Sequence, residues 1–157
     1  MIEQRLNELL ADLPDNLSKA MRYAVLGSGK RIRPRLVQAT SETLGTGSEI
    51  ALDPACAIEM VHAYSLIHDD LPCMDNDDFR RGKPTVHRAF SEPIAILAGD
   101  ALLTEAFHIL AKAPQLNDQQ IIQLITSLAY YSGCEGMVKG QMMDIQSNRI
   151  LSICPFL

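Results

Sequence analysis

The sequence predicts an all-α fold. Ala, Leu, Ile and Met supply most of an apolar content of 47%, while aromatic residues make up 5% and Trp is absent, a balance that suits helices packed on helices. No stretch alternates apolar and polar residues with the period of a strand, and Pro, Gly and Asp/Asn signals divide the chain at helix-length intervals. The 157 residues suffice for one core, so residues 1–157 are expected to form part of a single domain.

Residues 2–12 read as a short amphipathic helix. Pro14-Asp15-Asn16 supplies a break and a cap for a second helix that reaches about Leu26 and ends at Gly27-Ser28-Gly29. A third starts near Pro34 and runs to Gly45, where Gly45-Thr46-Gly47-Ser48 forms a loop. Asp53-Pro54 opens a fourth, with Asp53 as cap and Ala57, Ile58, Val61, Tyr64 and Leu66 among its packing positions. It ends near Leu71, because Pro72 disfavours helical geometry in its predecessor. A polar loop is expected to about Ser91. Glu92-Pro93 then starts a long apolar helix to about Lys112, Asn117 begins another to about Ser132, and a last one follows Gly133 to about Asn148.

A formal charge of -5 disfavours a general nucleic-acid surface, which needs clustered Lys and Arg in excess. Cys56, Cys73, Cys134 and Cys154 show neither CxxC pairing nor Cys/His ligand spacing, and the N-terminus lacks the basic-then-apolar pattern of a signal peptide. Reduced thiols and a cytoplasmic location are therefore expected. No apolar run approaches the roughly 20 residues needed to cross a bilayer, so no membrane span is expected.

Chemistry concentrates in Asp69-Asp70-Leu71-Pro72-Cys73-Met74-Asp75. Two of these acids fall in the last turn of a helix, where the negative end of the macrodipole disfavours each carboxylate by roughly 0.3 to 1 kcal/mol. Asp77 and Asp78 add charge, so cations must be near, either side chains or metal ions. Carboxylate oxygens are hard ligands suited to Mg2+, which takes one or two of them together with waters and phosphate oxygens. A solvated acidic loop is the simpler alternative, and its neighbours weigh against it. His62 lies two turns before Asp69, within about 20° of the same helix face, which would aim it into the same cleft. Arg80, Arg81 and Lys83 follow the acids, with Gly82 allowing close approach to an anion. A second basic cluster, Gly-Ser-Gly-Lys-Arg-Ile-Arg-Pro-Arg at 27–35, enters a helix and forms a natural anion site without P-loop spacing.

The stretch Glu59 to Asp75, followed by Arg80-Arg81-Gly82-Lys83-Pro84-Thr85, resembles the first aspartate-rich motif of the trans-prenyl diphosphate synthases. Gly29-Lys30-Arg31-Ile32-Arg33-Pro34 resembles that family's isopentenyl diphosphate loop, Gly99-Asp100-Ala101-Leu102-Leu103 its following helix, and Gly140-Gln141-Met142-Met143-Asp144 its later Gly-Gln-x-x-Asp element. The likeness implies the N-terminal half of the isoprenoid synthase helical bundle. It also implies Mg2+ at Asp69, Asp70 and Asp75, an allylic diphosphate held by Arg80, Gln141 and Asp144, and isopentenyl diphosphate held by Lys30, Arg33, His62 and Arg81. The chain-length pocket would fall at Tyr64 and Ser65, where the bulky Tyr64 and the four-residue spacer 71–74 resemble bacterial farnesyl diphosphate synthases. Farnesyl diphosphate is thus the expected product, with geranylgeranyl diphosphate as the alternative, small diphosphates as the partners, and a homodimer as the assembly.

This sequence departs from the family at its end. It has no acidic residue after Asp144 and no Lys after Lys139, so the family's second aspartate-rich motif and Lys-Thr element are absent, and residues 146–157 are an atypical tail whose ending, Ile150 to Leu157, is apolar. A truncated product is the expectation, with little condensation by this chain alone. A half-domain that only binds metal and diphosphate, or pairs with another subunit, is the competing expectation. A class I terpene cyclase would share the acids but would not need Lys30, Arg33 and His62.

Overall fold

Helices form where Ala, Leu, Ile and Met run between the Pro and Gly breaks. The computed structural model describes residues 1–11, 15–27 and 29–153, and the chain divides into two units, Met1–Asn117 and Asp118–Leu157. The expected break at Pro14, Ser28 in the first glycine loop, and residues 154–157 of the atypical tail lie outside the described residues.

The first unit contains α1 (Ile2–Leu9), α2 (Asp15–Val25), α3 (Ile32–Thr43), α4 (Leu52–Asp69), a hairpin of β1 (Phe79–Arg80) and β2 (Lys83–Pro84), α5 (Val86–Ala89) and α6 (Glu92–Ala111). α4 is its axis, packed most extensively on α6 and also covered by α3 and α1. Ala55, Cys56, Ala57, Met60, Val61, Ala63, Tyr64 and Ile67 are all buried, as befits a helix apolar on nearly every side. Burial pushes the Cys56 thiol up to about 12, with the charge of Asp53 adding to the effect, so it stays protonated.

α6 offers α4 small side chains, Ala95, Ala98, Gly99 and Ala106, around Leu102. At Gly99 the approach is so close that a Cβ would collide with the imidazole of His68, whose Nε2 lies 3.1 Å from the Ile96 carbonyl oxygen. α6 bears on the expectation about membrane spans. Its 20 residues are long and apolar enough, by length and composition, to cross a bilayer. Asp100 and Glu105 interrupt the run and hide it from a search for unbroken apolar stretches, and the helix lays its buried face on α4.

Two further expectations give way. Asp53 does not cap α4: Ala51 takes that place, and Asp53 sits in the first turn, buried, accepting hydrogen bonds from Arg5 Nε at 2.7 Å and Nη2 at 3.2 Å. The expected polar loop contains ordered structure. Phe79 pairs with Pro84 and Arg80 with Lys83, and the turn between the strands puts Arg81 (φ 53°) and Gly82 (φ 76°) in the left-handed region, the geometry of a tight two-residue hairpin. Tyr23 Oη of α2 donates to the Pro84 carbonyl at 2.7 Å, bracing the hairpin against that helix, and Thr85 Oγ1 donates to the Asp77 carbonyl at 2.8 Å, tying together the two ends of the hairpin.

The second unit contains α7 (Asp118–Ser132) and α8 (Met137–Ile153). α8 begins later than its expected start at Gly133, because Gly133 to Gly136 form a turn in which Gly136 N–H donates to the Gly133 carbonyl at 3.1 Å.

Candidate diphosphate and metal site

The loop entering α3 places Lys30 and Arg33 in solvent on either side of the helix start, and α4 presents His62 opposite them. Together with Gly29, Arg31, Ile32, Glu59 and Arg81 they line a cleft of about 560 Å³. Lys30, Arg33, His62 and Arg81, the four positions where the sequence resemblance implies isopentenyl diphosphate, therefore share one cleft. Arg81 reaches it from the tip of the hairpin, and its Nη1 passes so close to Gly29 that a Cβ there would stand 2.5 Å away.

Arg33 Nη1 lies 3.3 Å from His62 Nε2. A guanidinium can only donate, so the contact requires His62 to accept through Nε2 and to carry its proton on Nδ1. Burial, and then the charge of Arg33, hold His62 below the usual histidine range, which keeps the ring neutral and able to accept. The acids expected to share the cleft with His62 do not line it.

Asp69 closes α4 and Asp70 caps it. The following loop doubles back: Asp75 N–H donates to the Asp69 carbonyl at 2.8 Å, while Met74 and Asn76 N–H donate to that of Leu71 at 2.9 and 3.1 Å. Asn76 makes the turn with φ 56°, a conformation that Asn tolerates better than most residues. Asp75 is thus tied to Asp69 by the backbone. Asp70 turns the other way, 3% exposed, and its carboxylate accepts from Arg80 Nε at 2.8 Å and Nη2 at 2.6 Å. That bond, more than the nearby charge of Asp77, raises the pKa of the Arg80 guanidinium. Two residues expected to serve a metal and a diphosphate separately are here gripping each other. A small cavity of about 70 Å³ beside them is lined by Asp70, Arg80 and Arg81 with Tyr23, Ile67 and Thr85, so Arg81 borders both cavities.

Among the described residues no three His, Cys, Asp or Glu side chains converge to enclose a metal ion. Asp69 and Asp75 nevertheless offer hard carboxylate oxygens on two backbone-linked residues, a donor set that fits Mg2+ completed by water and phosphate oxygens. Tyr64 is buried one turn before His68 and packs edge-on against it, ring centroids 5.6 Å apart. Ser65 Oγ donates to the His62 carbonyl of its own helix at 2.9 Å. Gln141 and Asp144 lie in the second unit on α8, the former half-buried and the latter exposed.

Sequence reasoning included Arg31 in the basic cluster 27–35 and Glu59 at the head of the acidic stretch but gave neither a role in the cleft, since each is placed by a partner on another element.

The polyprenyl synthetase family matches residues 14–153. A chloroplastic geranylgeranyl pyrophosphate synthase of Catharanthus roseus is 48% identical over 141 residues, covering 89% of this chain and 40% of that protein. A farnesyl diphosphate synthase of Geobacillus stearothermophilus is 52% identical over 138 residues, covering 85% of this chain and 46% of that protein. The apo crystal structure of an FPP/GFPP synthase from Zymomonas mobilis matches with a TM-score of 0.89 at 49% identity, covering 94% of this chain and 54% of that one. The chain thus spans about half the length of the relatives it matches.

Proposed function

Because the chain belongs to the polyprenyl synthetase family, we propose that it forms the N-terminal, substrate-binding part of one short-chain prenyltransferase domain that joins isopentenyl diphosphate to dimethylallyl or geranyl diphosphate and yields farnesyl diphosphate. The observation that carries this is the convergence of Lys30, Arg33, His62 and Arg81 on one cleft.

A diphosphate in that cleft meets two exposed guanidinium groups, a lysine ammonium and a neutral imidazole, all able to donate to its oxygens. His62, accepting through Nε2, keeps Arg33 aimed. The allylic diphosphate is assigned to the acidic side, with Arg80; Gln141 and Asp144, in the second unit, are candidates for the same ligand by resemblance alone. Mg2+ held there by Asp69 and Asp75 would neutralise charge on the departing pyrophosphate. The allylic C–O bond ionises, the isopentenyl double bond attacks the carbocation, and a proton is lost. Arg80 stabilises the negative charge that grows on the leaving group, provided the diphosphate draws it from Asp70. Asp70 then becomes available as a third carboxylate.

Support for farnesyl as the product comes from buried Tyr64, five residues before Asp69, as the floor of the chain pocket; the relatives carry names for both farnesyl and geranylgeranyl products. Pairing with a second copy is supported by the exposed Tyr130 and Tyr131 of α7 and Met142 and Met143 of α8. A cytoplasmic location is supported by free thiols at Cys56, Cys73 and Cys134.

Calorimetry of isopentenyl diphosphate and of Mg2+ with pyrophosphate, on the wild type and Asp69→Ala, tests the assignment. Asp69→Ala is expected to lose the Mg2+-dependent component and to keep isopentenyl diphosphate binding; equal affinities of both proteins for both ligands would sink it. Little condensation of geranyl diphosphate with labelled isopentenyl diphosphate is expected from this chain alone, and efficient Mg2+-dependent product formation would overturn that expectation.

A further inference from the structure

We propose that Arg31 is the positioning residue of the isopentenyl diphosphate cleft: its buried guanidinium pins the backbone from which Lys30 and Arg33 project. The inference rests on the assignment of that cleft made above.

Arg31 stands between two exposed cleft residues, yet it is only 7% exposed itself. Its backbone is left-handed, φ 51° and ψ 39°, a conformation that residues other than glycine adopt only where their surroundings hold them in it. The reversal turns Arg31 inward while its neighbours stay outside. Inside, its guanidinium serves three parts of the unit. Nε donates to Glu3 Oε1 of α1 at 2.8 Å, and Nη1 to Glu59 Oε1 of α4 at 2.6 Å. Nη2 donates to the carbonyls of Val25 at 2.6 Å and Gly27 at 3.0 Å, at and just beyond the end of α2. A planar fork of donors can serve all these acceptors at once, and a lysine ammonium cannot.

Two consequences follow for the cleft. Gly27 and Arg31 are tied to each other and, through Glu59, to α4, so Lys30 and Arg33 are held at a fixed offset from His62 without being buried themselves. Glu59 is only 4% exposed and borders the cleft one turn before His62, so its carboxylate would repel a bound diphosphate were Arg31 not there to neutralise it.

The test is calorimetry of isopentenyl diphosphate with the full chain, beside its melting temperature. Arg31→Met alone would strand a buried carboxylate, so the informative variant is the double Arg31→Met/Glu59→Met, in which a buried pair is replaced by apolar side chains of similar size. The expected result is a fold that melts close to wild type but binds at least about tenfold more weakly, on the scale seen when groups that orient metal ligands are removed. Arg31→Lys, which keeps the charge and loses the fork, is expected to weaken binding similarly. Glu3→Gln alters an exposed acid that does not border the cleft and leaves the fold intact; it is expected to weaken binding measurably. Wild-type affinity in these variants, while Arg33→Ala binds poorly, overturns the positioning role alone. Wild-type affinity in Arg33→Ala overturns the cleft assignment and this inference with it.

Discussion

His62 shows how one residue's surroundings set its chemistry. Burial and Arg33 lower its pKa in the folded chain, so an unfolded His62 takes up a proton near the ordinary value of 6.5 while the folded one resists. The unfolded state therefore binds more protons over that interval, and stability falls as pH drops from about 6.5 toward the folded value; above 6.5 the effect vanishes. His62→Gln, which cannot titrate, is expected to lose less melting temperature than wild type between roughly pH 7 and 5. Parallel curves would defeat this account. At this scale the sequence was informative about residue type and silent about pairing. Lys30, Arg33, His62 and Arg81 came together as a set only through the resemblance to the family's motifs, since the residues by themselves grouped His62 with the acids. The grip of Arg80 on Asp70 was not legible, because a carboxylate at a helix end accepts a guanidinium or a metal ion equally well and only the path of the intervening loop decides between them. The role of Arg31 was invisible for a related reason: three basic residues in four positions look alike until one of them is turned inward.

Among the elements, the α4–α6 pairing was legible in outline and the hairpin was not. Long helices rich in Ala and Leu announce themselves, whereas two-residue strands are too short for any period to register, and a left-handed Arg81 has no sequence signal beyond the glycine that follows it. Yet the hairpin sends its two arginines apart, Arg80 to Asp70 and Arg81 past Gly29. Asp53 misled for another reason. An Asp-Pro before an apolar run looks like a cap, but its partner is Arg5, 48 residues away in sequence. The close crossing of α4 and α6 can be tested through two glycines. Alanine in a helix interior is ordinarily better than glycine by roughly 0.5–1 kcal/mol. Gly140 on α8 has open space around a Cβ, so Gly140→Ala is expected to raise the melting temperature. At Gly99 the same change drives a methyl into the His68 ring, so Gly99→Ala is expected to cost about 1–3 kcal/mol and lower it. Thermal unfolding of both variants checks the contrast, and a stabilised Gly99→Ala would show that the two helices can part without cost.

For the whole molecule, the division into units bears on the proposed isopentenyl diphosphate site. Every residue lining the basic cleft lies within Met1–Asn117, while Gln141 and Asp144 belong to the second unit. Binding of isopentenyl diphosphate should therefore be complete in the first unit's residues. Lys30→Ala removes a charged donor and is expected to weaken it by about tenfold, the effect of losing one hydrogen bond of roughly 1.5 kcal/mol to a charged group. Gln141→Ala and Asp144→Ala are expected to leave it unchanged. The chain's net charge of -5 does not oppose this binding, since Lys30, Arg33 and Arg81 dominate the local field at the short range over which charges act in salt. Because these three side chains are exposed, their attraction is screened, and the dissociation constant should rise steadily with added salt. Calorimetry of the three variants at two salt concentrations reads all of this. A loss of affinity in Gln141→Ala as large as that in Lys30→Ala would mean that the second unit helps to form the cleft. Unchanged affinity there, with salt-sensitive binding that depends on Lys30, would show that the first unit's residues suffice for the cleft.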